Sequence, residues 1–387
     1  MAESLWVLLP AAQRASGEWI DDTLKARAQE KGLTARFSLA GQFPRNRVEV
    51  VRDHDPWARV NELFYRRGWT DGLPIVPPTV GKVEEMLTHS KLPRAHVVAE
   101  LDPLKGQATV EKIAIHGVMA GCRPEYLPIL ISVTEAIAQP EFNLRGVQTT
   151  DENVAPLLIF NGPVTAQLDI NSGFGALGPG CQANATIGRA LQLIMRNIGG
   201  GWPGAVALAG LSQAGKYTLC IAENEAQSPW EPLNAELGHE KASTVTVMRS
   251  ETVINVTGGL EEIASVMRSS VSLFSMMNHG LVAVALAPYV ANNLAEERWN
   301  KRAVKQYLYE HGRMSAADWE KSWAFDVMKN ARWPQWVTEA AERGAIPAVE
   351  KPEDITLIVA GGDLAIPQHA YFPSWGFPPC RITKVLE

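Results

Sequence analysis

The chain has 387 residues, of which 46% are hydrophobic and 20% charged, and its formal net charge is −6. This composition is typical of a globular protein with a sizeable core, and the acidic balance argues against a general nucleic-acid or anionic-membrane surface. The sequence contains no uninterrupted run of about 18 apolar residues, so no transmembrane helix is predicted. The segment that begins MAESLW has an acid where a signal peptide needs positive charge, so we expect a cytoplasmic protein.

Residues 1–50 predict a small β-α-β unit that serves as an appendage or docking unit. SLWVLLP and TARFSLA have the apolar pattern of strands, and EWIDDTLKARAQEKG between them is an amphipathic helix ending at Gly32. Residues 51–387 would then form the main α/β domain, of the kind that carries catalysis.

Helical and strand-like segments alternate through most of this main domain. Helices are predicted at 56–67 and 80–89, separated by the proline-rich loop WTDGLPIVPPT, and 260–277 and most of 289–345 also read as helical. Short apolar or β-branched runs predict buried strands: APLLIF, KYTLCIA, STVTVMRS, TVINV, GLVAVALAP and DITLIVAGG. The order favours an α/β or α+β fold, with a mixed sheet core covered by helices.

The stretch MAGCRPEYLP (119–128) predicts a corner between two helices. Gly121 permits the first helix to stop, and Pro124 suits the first position of the next one. Cys122 would lie just outside that helix, where its dipole and Arg123 favour a thiolate, with Glu125 in the first turn. The alternative is a buried, inert cysteine beside an Arg123–Glu125 ion pair, with a second helix that begins only at Pro128.

A glycine-rich loop precedes a predicted helix in NSGFGALGPGCQANATIGRA (171–190). It contains GxGxxG, but no convincing buried strand precedes it and no acid follows at the spacing of a dinucleotide site. Such a loop can still present backbone N–H groups to an anion. We therefore assign substrate binding to Gly178, Gly180, Asn184 and Arg189, while Asn184 or Thr186 capping the helix is the alternative. Cys181 is a second candidate thiol.

Acids follow a predicted strand in CIAENEAQSPWEPL (220–233). Glu223 and Glu225 are two positions apart and would point the same way if the strand continues. A carboxylate beside an apolar residue such as Trp230, which we also assign to substrate binding, is a candidate general base with a raised pKa. Solvated loop acids are the alternative.

Histidines give the weakest signals. His116 lies in a predicted buried helix, six positions before Cys122, and is a candidate catalytic group or a hydrogen-bonded core residue. His279 and His369 lie on irregular segments without partners at a readable spacing. The chain has no HxH, HExxH or CxxC, so no cofactor is predicted, and a metal would need ligands from distant segments.

Several of these segments together resemble a bacterial group associated with UGSC-family (seleno)proteins. The similarity covers about residues 55–385 and is carried by WTDGLPIVPPT, AGCRPEYLP, NGP (161–163), GPGCQANATIGRA, AENEAQSPWEPL and FPSWG. The chain itself has no UGSC or CGSC motif. The resemblance implies a possible UGSC-type partner subunit that supplies the reactive thiol or selenol. It also favours ligand-facing roles for these residues: Asp71, Cys122, Arg123, Glu125, Asn184, Arg189, Glu223 and Glu225.

The leading hypothesis is an enzyme, of the lyase or hydrolase type, that acts on a small anionic organic substrate. Cys122 would be the nucleophile or acid, Glu223 or Glu225 the base, and the glycine-rich loop with Arg189 would bind the substrate charge, without an organic redox cofactor. One alternative is a subunit of a thiol-dependent oxidoreductase or C–S bond enzyme that works with a UGSC-type partner. Another is a non-catalytic scaffold or binding subunit. We expect an oligomer that contacts neither nucleic acid nor membrane.

Overall fold

The computed structural model of the chain describes residues 3–8, 48–328 and 333–386. Contacts within this described part separate it into two compact units. Unit 1 comprises the described residues up to Asn153 together with Gln182–Leu219 and Leu386. Unit 2 comprises the described residues of Val154–Cys181 and Cys220–Val385.

Unit 1 consists of helices and two antiparallel strand pairs. Strand β1 (Glu3–Leu8) pairs with β2 (Val48–Asp53), and β3 (Val97–Leu101) pairs with β4 (Gly106–Thr109). Its helices are α1 (Pro56–Arg66), α2 (Val80–Leu87), α3 (Val110–Ala120), α4 (Leu127–Ile137), α5 (Leu144–Thr149) and α7 (Gln182–Ile194), which continues as a π-helical turn at Met195–Gly199.

Helix α3 is the central helix of unit 1 because apolar or small residues cover nearly all of its surface. It packs against α2, α4 and α7. Thr109 caps its start by accepting the Lys112 N–H, and Gly121 ends it in the left-handed conformation with φ of 88°. The predicted stop at Gly121 is confirmed.

Unit 2 contains two four-stranded mixed sheets. The first has the order β14-β7-β5-β6, and the second has the order β12-β9-β13-β8. Only β5 with β6, and β12 with β9, run parallel within these sheets. The strands are β5 (Ala155–Asn161), β6 (Cys220–Ala222), β7 (Thr244–Ser250), β8 (Ile254–Thr257), β9 (Val282–Leu286), β12 (Ile355–Val359), β13 (Gln368–Phe372) and β14 (Ile382–Val385).

Helices surround these sheets, and a short hairpin lies outside them. The helices are α6 (Val164–Gln167), α8 (Leu233–Glu236), α9 (Leu260–Met267), α10 (Leu273–Met277), α11 (Pro288–Glu296), α12 (Lys301–His311), α13 (Ala316–Glu320), α14 (Trp323–Val327) and α15 (Gln335–Glu342), and the hairpin pairs β10 (Arg313–Ser315) with β11 (Ala345–Pro347). The main core joins aliphatic residues of β9 and β12 to those of α9 and α12.

The predicted fold class, α/β or α+β with mixed sheets, is confirmed. Two element predictions were too long. The helix predicted over 260–277 is interrupted after Met267, where the Ser269 hydroxyl bonds the Val266 carbonyl instead of continuing the helix. The strand predicted over 216–222 is limited to Cys220–Ala222, the part that pairs with β5.

The predicted N-terminal β-α-β unit lies mostly outside the described residues. Strand β1 matches the first predicted strand and pairs with β2, whereas 18–32 and 34–40 fall in the part that the structure does not describe. The division at residue 50 therefore stays a prediction. Within the described ranges, no helix combines the length and the apolar character that a membrane crossing requires.

Candidate functional site

The corner around Cys122 has the geometry of the alternative prediction, in which Arg123 pairs with Glu125 and no full helix begins at Pro124. Pro124 begins only a 3₁₀ turn, Pro124–Tyr126, and helix α4 follows from Leu127 with Pro128 in its first turn. A three-residue turn has too few aligned peptide groups to give the helix dipole on which the predicted thiolate depends. Arg123 and Glu125 form the ion pair of the alternative, with Nε and Oε1 3.2 Å apart.

The thiol of Cys122 is held as a neutral donor. It donates to the carbonyl of Thr186, with Sγ and O 3.3 Å apart. Burial raises the pKa of Cys122 to about 12, although the hydrogen bond to Thr186 and the positive charge of Arg189 oppose that rise. The predicted low-pKa thiolate is thus contradicted, because desolvation outweighs the nearby charge.

His116 has the surroundings of a core residue. Its side chain is fully buried, its Nδ1 donates to the Lys112 carbonyl at 2.7 Å, and Nε2 has no hydrogen-bond partner among the described residues. Burial lowers its pKa to about 4, so the imidazole is neutral at physiological pH. The six-residue offset from Cys122 gives no dyad within hydrogen-bond reach.

Asp71 and Arg189 form a bidentate ion pair in unit 1. Arg189 Nε and Nη2 donate to the two carboxylate oxygens at 2.7 and 2.9 Å, and the Asp71 side chain is 1% exposed. Burial alone would raise the pKa of Asp71, but the hydrogen bond and charge of Arg189 hold it below its usual value of 3.8. The sequence predicted substrate roles for both residues, and the structure brings them together.

A charged cavity of unit 1 opens beside this ion pair. We call it the Arg196 cavity; its volume is about 670 Å³. Its wall contains three cationic side chains (Arg66, Arg196 and Lys216), the carboxylate of Asp71 and two tyrosines (Tyr65 and Tyr217). The other lining residues are Thr70, Gly72, Pro203, Ser212 and Gln213.

Arg196 is the residue of this cavity that the sequence reasoning missed. Its Nη1 donates to the Thr70 carbonyl at 3.1 Å, and burial lowers its pKa although the charge of Asp71 acts in the opposite direction. The signal was present, since Arg196 follows Arg189 by seven positions, a spacing that places both on one side of a helix. Helix α7 and its π-helical continuation carry both side chains toward Asp71.

Asn184 and Thr186 do not cap α7. The helix begins at Gln182, so both residues lie inside it, and the Thr186 hydroxyl donates back to the Gln182 carbonyl at 2.8 Å. Asn184 is buried, and its carbonyl accepts from the Thr218 hydroxyl at 2.6 Å. The capping alternative is therefore wrong for both positions, and Asn184 has a packing role.

The glycine-rich loop belongs to unit 2 and lines a small apolar cavity. The cavity has a volume of about 250 Å³ and is formed by 173–178, Ala360–Gly362 and side chains that include His369. Gly178 faces it, whereas Gly180 adopts a φ of 119° outside its lining. Cys181 donates its thiol hydrogen to the Asp169 carbonyl at 3.0 Å.

Glu223 and Glu225 are held by one asparagine in unit 2. Asn161 Nδ2 donates to Glu223 Oε2 at 2.7 Å and to Glu225 Oε1 at 3.1 Å. Glu223 Oε2 also accepts the Leu233 N–H, and Lys301 Nζ lies 3.9 Å from Glu223 Oε1. Burial raises the pKa of Glu223, against the lowering effect of Lys301 and these hydrogen bonds, as the sequence predicted.

Glu225 lines a second charged cavity, which we call the Glu225 cavity. Its volume is about 790 Å³, and its wall contains Gly162, Pro163, Glu225, Glu231, Pro232, Asn234, Ala235, Glu240 and Lys241. Three carboxylates and a single ammonium therefore surround it, the reverse of the balance in the Arg196 cavity. Because Glu225 faces the cavity and Glu223 lies behind Asn161, the pair could exchange protons with a bound molecule only through Glu225.

The remaining predicted side chains are engaged in structural contacts. Trp230 donates its Nε1 hydrogen to the Trp299 carbonyl at 2.9 Å and packs on the main core of unit 2. His279 pairs with Glu350 at 2.9 Å. Both nitrogens of His369 are used, Nδ1 by the Ala287 N–H and Nε2 by the Gly258 carbonyl, each at 2.9 Å.

The predicted site residues divide between the two units. Unit 1 holds Asp71, His116, Cys122, Arg123, Glu125, Asn184 and Arg189, and unit 2 holds Gly178, Gly180, Glu223, Glu225 and Trp230. Within the described ranges, no group of three His, Cys, Asp or Glu side chains has a metal-binding arrangement. The chain matches no model of a known protein family, no curated protein and no solved structure.

Proposed function

We propose that the chain is an enzyme acting on a small organic anion, and that the anion binds in the Arg196 cavity. The observation that carries the proposal is the charge balance beside this cavity, where two guanidinium groups, Arg189 and Arg196, act on the single carboxylate of Asp71. The reactions in question are additions, eliminations or hydrolyses that need no organic redox cofactor.

The positive charge of Arg196 has no carboxylate of its own. Both oxygens of Asp71 accept from Arg189, whereas the Arg196 bond in the described part of the chain goes to a neutral carbonyl. Lys216 adds a second cation to the wall, and Arg66 at the rim already pairs with Glu62. A partly buried guanidinium that lines a cavity favours an anionic ligand, because the ligand supplies the missing charge.

The same arrangement can stabilise negative charge that develops during a reaction. Additions to carbonyls, eliminations beside carbonyls and hydrolyses all pass through an oxyanion or enolate, which a fixed guanidinium stabilises where water is excluded. Tyr65 and Tyr217 offer ring faces for the organic part of the ligand, and Tyr217 and Lys216 carry protons that can be transferred.

The proposal does not use Cys122 as a nucleophile, since a thiol with a pKa of about 12 is almost wholly protonated at neutral pH. It also leaves Glu223 and Glu225 out of the anion site, because neither lines the Arg196 cavity and Glu225 lines a cavity that is itself acidic.

The test is the replacement Arg196→Met, with Lys216→Met as a second variant at the same cavity. Thermal shift and calorimetry would compare benzoate and succinate with their neutral amides. Loss of a charge-assisted hydrogen bond costs about 1.5–3 kcal/mol, so we expect anion affinity to fall by about ten- to a hundredfold in Arg196→Met. The control is Arg145→Met, which removes an exposed arginine of α5 and should change nothing. Equal binding of acids and amides, or full retention in both variants, would contradict the proposal.

A further inference from the structure

One edge of the Arg196 guanidinium has no partner in the wall of the Arg196 cavity. Its Nη1 donates to the Thr70 carbonyl at 3.1 Å, and the side chain makes no other hydrogen bond or ion pair with the described residues. The N–H groups of Nε and Nη2 are therefore not used by these residues. These two donors are parallel and coplanar, so they match two oxygens held in one plane.

Arg189, on the same helix, shows what such an edge binds. It lies seven positions earlier and presents the same two nitrogens, Nε and Nη2, to the two oxygens of Asp71 at 2.7 and 2.9 Å. The equivalent edge of Arg196 meets no acid of its own within the described ranges. A carboxylate on a ligand therefore completes at Arg196 the pairing that Asp71 provides at Arg189.

A buried hydroxyl in the same wall adds a third donor. Thr70 is 7% exposed and lines the cavity, and its carbonyl is the group that holds Arg196. Its Oγ1 accepts the Gly72 N–H at 3.2 Å, but its own hydrogen is donated to no residue that the structure describes. Because buried polar groups are normally hydrogen-bonded, this hydroxyl favours a ligand that brings an acceptor.

Two tyrosine rings give the cavity an aromatic wall. Tyr65 and Tyr217 are 53% and 47% exposed, and both line the cavity. Among the described residues, neither ring contacts another aromatic ring, whereas Tyr307 and His311 elsewhere in the chain are stacked. Half-exposed rings on the wall of a cavity favour a ligand that is itself aromatic, because ring pairs gain free energy beyond the apolar area that they bury.

We propose that the organic anion of the Arg196 cavity is an aromatic carboxylate. Its carboxylate accepts from the Nε and Nη2 edge of Arg196 and from the Thr70 hydroxyl, and its ring lies against Tyr65 and Tyr217. A phosphate suits the site less well, because its second negative charge would be repelled by Asp71 in the same wall. The inference rests on the proposed function, since it names the class of anion that binds there.

The first measurement compares three ligands on the full chain by calorimetry and thermal shift: benzoate, cyclohexanecarboxylate and phenylphosphonate, each at about 10 mM. Cyclohexanecarboxylate has the charge and nearly the size of benzoate but no aromatic ring. We expect benzoate to bind about two- to tenfold more tightly than cyclohexanecarboxylate, the factor that an aromatic pair contributes. The doubly charged phenylphosphonate should bind more weakly than benzoate.

The second measurement repeats these titrations in variants of the cavity wall. Arg196→Lys keeps the positive charge but removes the planar edge, so benzoate affinity should fall about tenfold. Tyr217→Leu keeps an apolar side chain without the ring and should reduce the preference for benzoate over cyclohexanecarboxylate. The matched control is Tyr289→Leu, which removes a tyrosine of α11 that is 40% exposed and lies outside the cavity lining. Both affinities should be unchanged in this control.

Failure of this inference can be distinguished from failure of the proposed function. Equal affinities for benzoate and cyclohexanecarboxylate, tighter binding of phenylphosphonate, or unchanged benzoate affinity in Arg196→Lys would overturn the aromatic carboxylate. The proposed anion site would still stand in those cases if acids bind better than their neutral amides and Arg196→Met weakens them. If neither benzoate nor succinate binds better than its amide, the inference and the proposed function are both wrong.

Discussion

Each unit buries a carboxylate beside a charged cavity, and the two carboxylates respond to burial in opposite ways. Asp71 beside the Arg196 cavity has a lowered pKa, and Glu223 behind the Glu225 cavity has a raised one. Arg189 touches both oxygens of Asp71, at 2.7 and 2.9 Å, whereas the nearest ammonium to Glu223 stays 3.9 Å away. Lys301 Nζ instead forms an ion pair with Glu236, at 3.0 Å from Glu236 Oε2.

Of these two carboxylates, the one in direct contact with its counter-charge is the one whose pKa is lowered, although the side chains of both are shielded from solvent. Desolvation is the largest single influence on both carboxylates and raises the pKa of each. Direct hydrogen bonds from a guanidinium overcome it, and a charge beyond hydrogen-bond distance does not. Asp71 is therefore an anion bound by Arg189 and facing the charge of Arg196, and Glu223 is a carboxyl group that keeps its proton to higher pH than an exposed glutamate.

The largest expected effect comes from breaking the Asp71 contact. Asp71→Asn leaves Arg189 and Arg196 without their shared carboxylate, and the loss of one partner of a buried ion pair costs about 3–5 kcal/mol. Urea unfolding would measure it. Glu62→Gln, which removes a carboxylate from exposed ion pairs with Arg59 and Arg66, should cost less than about 1 kcal/mol. Equal losses of unfolding free energy in Asp71→Asn and Glu62→Gln would show that contact with arginine does not make Asp71 more stabilising than an exposed carboxylate.

A second comparison concerns the glycines at the two cavities. Gly162 has a φ of 81°, and a Cβ there would lie 2.3 Å from the Ala242 carbonyl oxygen, whereas Gly72 has a φ of 98° with no atom within 4 Å of such a Cβ. Gly72→Ala should cost only the backbone strain, about 1–2 kcal/mol, and Gly162→Ala should cost clearly more. Melting temperatures of the two variants would decide this. A smaller loss of melting temperature in Gly162→Ala than in Gly72→Ala would mean that the backbone around Gly162, whose N–H donates to Glu225, shifts readily to accommodate a side chain.

The sequence predicts the fold better than it predicts the site. Periodicity and turn residues are local, so they locate α3 and its stop at Gly121, as well as β5 and β9. The glycine-rich loop before a predicted helix identifies Arg189, whereas Asp71 is implied only by the resemblance. Which acid meets which base depends on contacts between positions 118 apart in the chain, and no spacing rule provides that.

Cys122 shows most directly why local reasoning fails. The neighbouring Arg123 and the following proline suggest a reactive thiol, but Arg123 is engaged with Glu125 and Tyr126, and the thiol is turned to the carbonyl of Thr186. The desolvation that raises its pKa comes from packing between segments distant in sequence. Asn161 was missed for the complementary reason, since an asparagine at a strand end acquires meaning only when two acids from another segment reach it.

The smallest expected effect is on the pH dependence of the unfolding free energy. Its sign tests the comparison between Asp71 and Glu223. The folded-state pKa of Glu223 lies above its ordinary value of 4.5, so its favourable contribution is present at acid pH and is lost as pH rises through the raised pKa. For Asp71, whose folded-state pKa lies below 3.8, the contribution is present above that value and is lost as pH falls. As pH rises above the ordinary value of 4.5, the unfolding free energy of the wild type minus that of Glu223→Gln should therefore decrease. The same difference taken with Asp71→Asn should instead increase from acid pH upward, and parallel trends in urea titrations would contradict the assignment of opposite states to the two carboxylates.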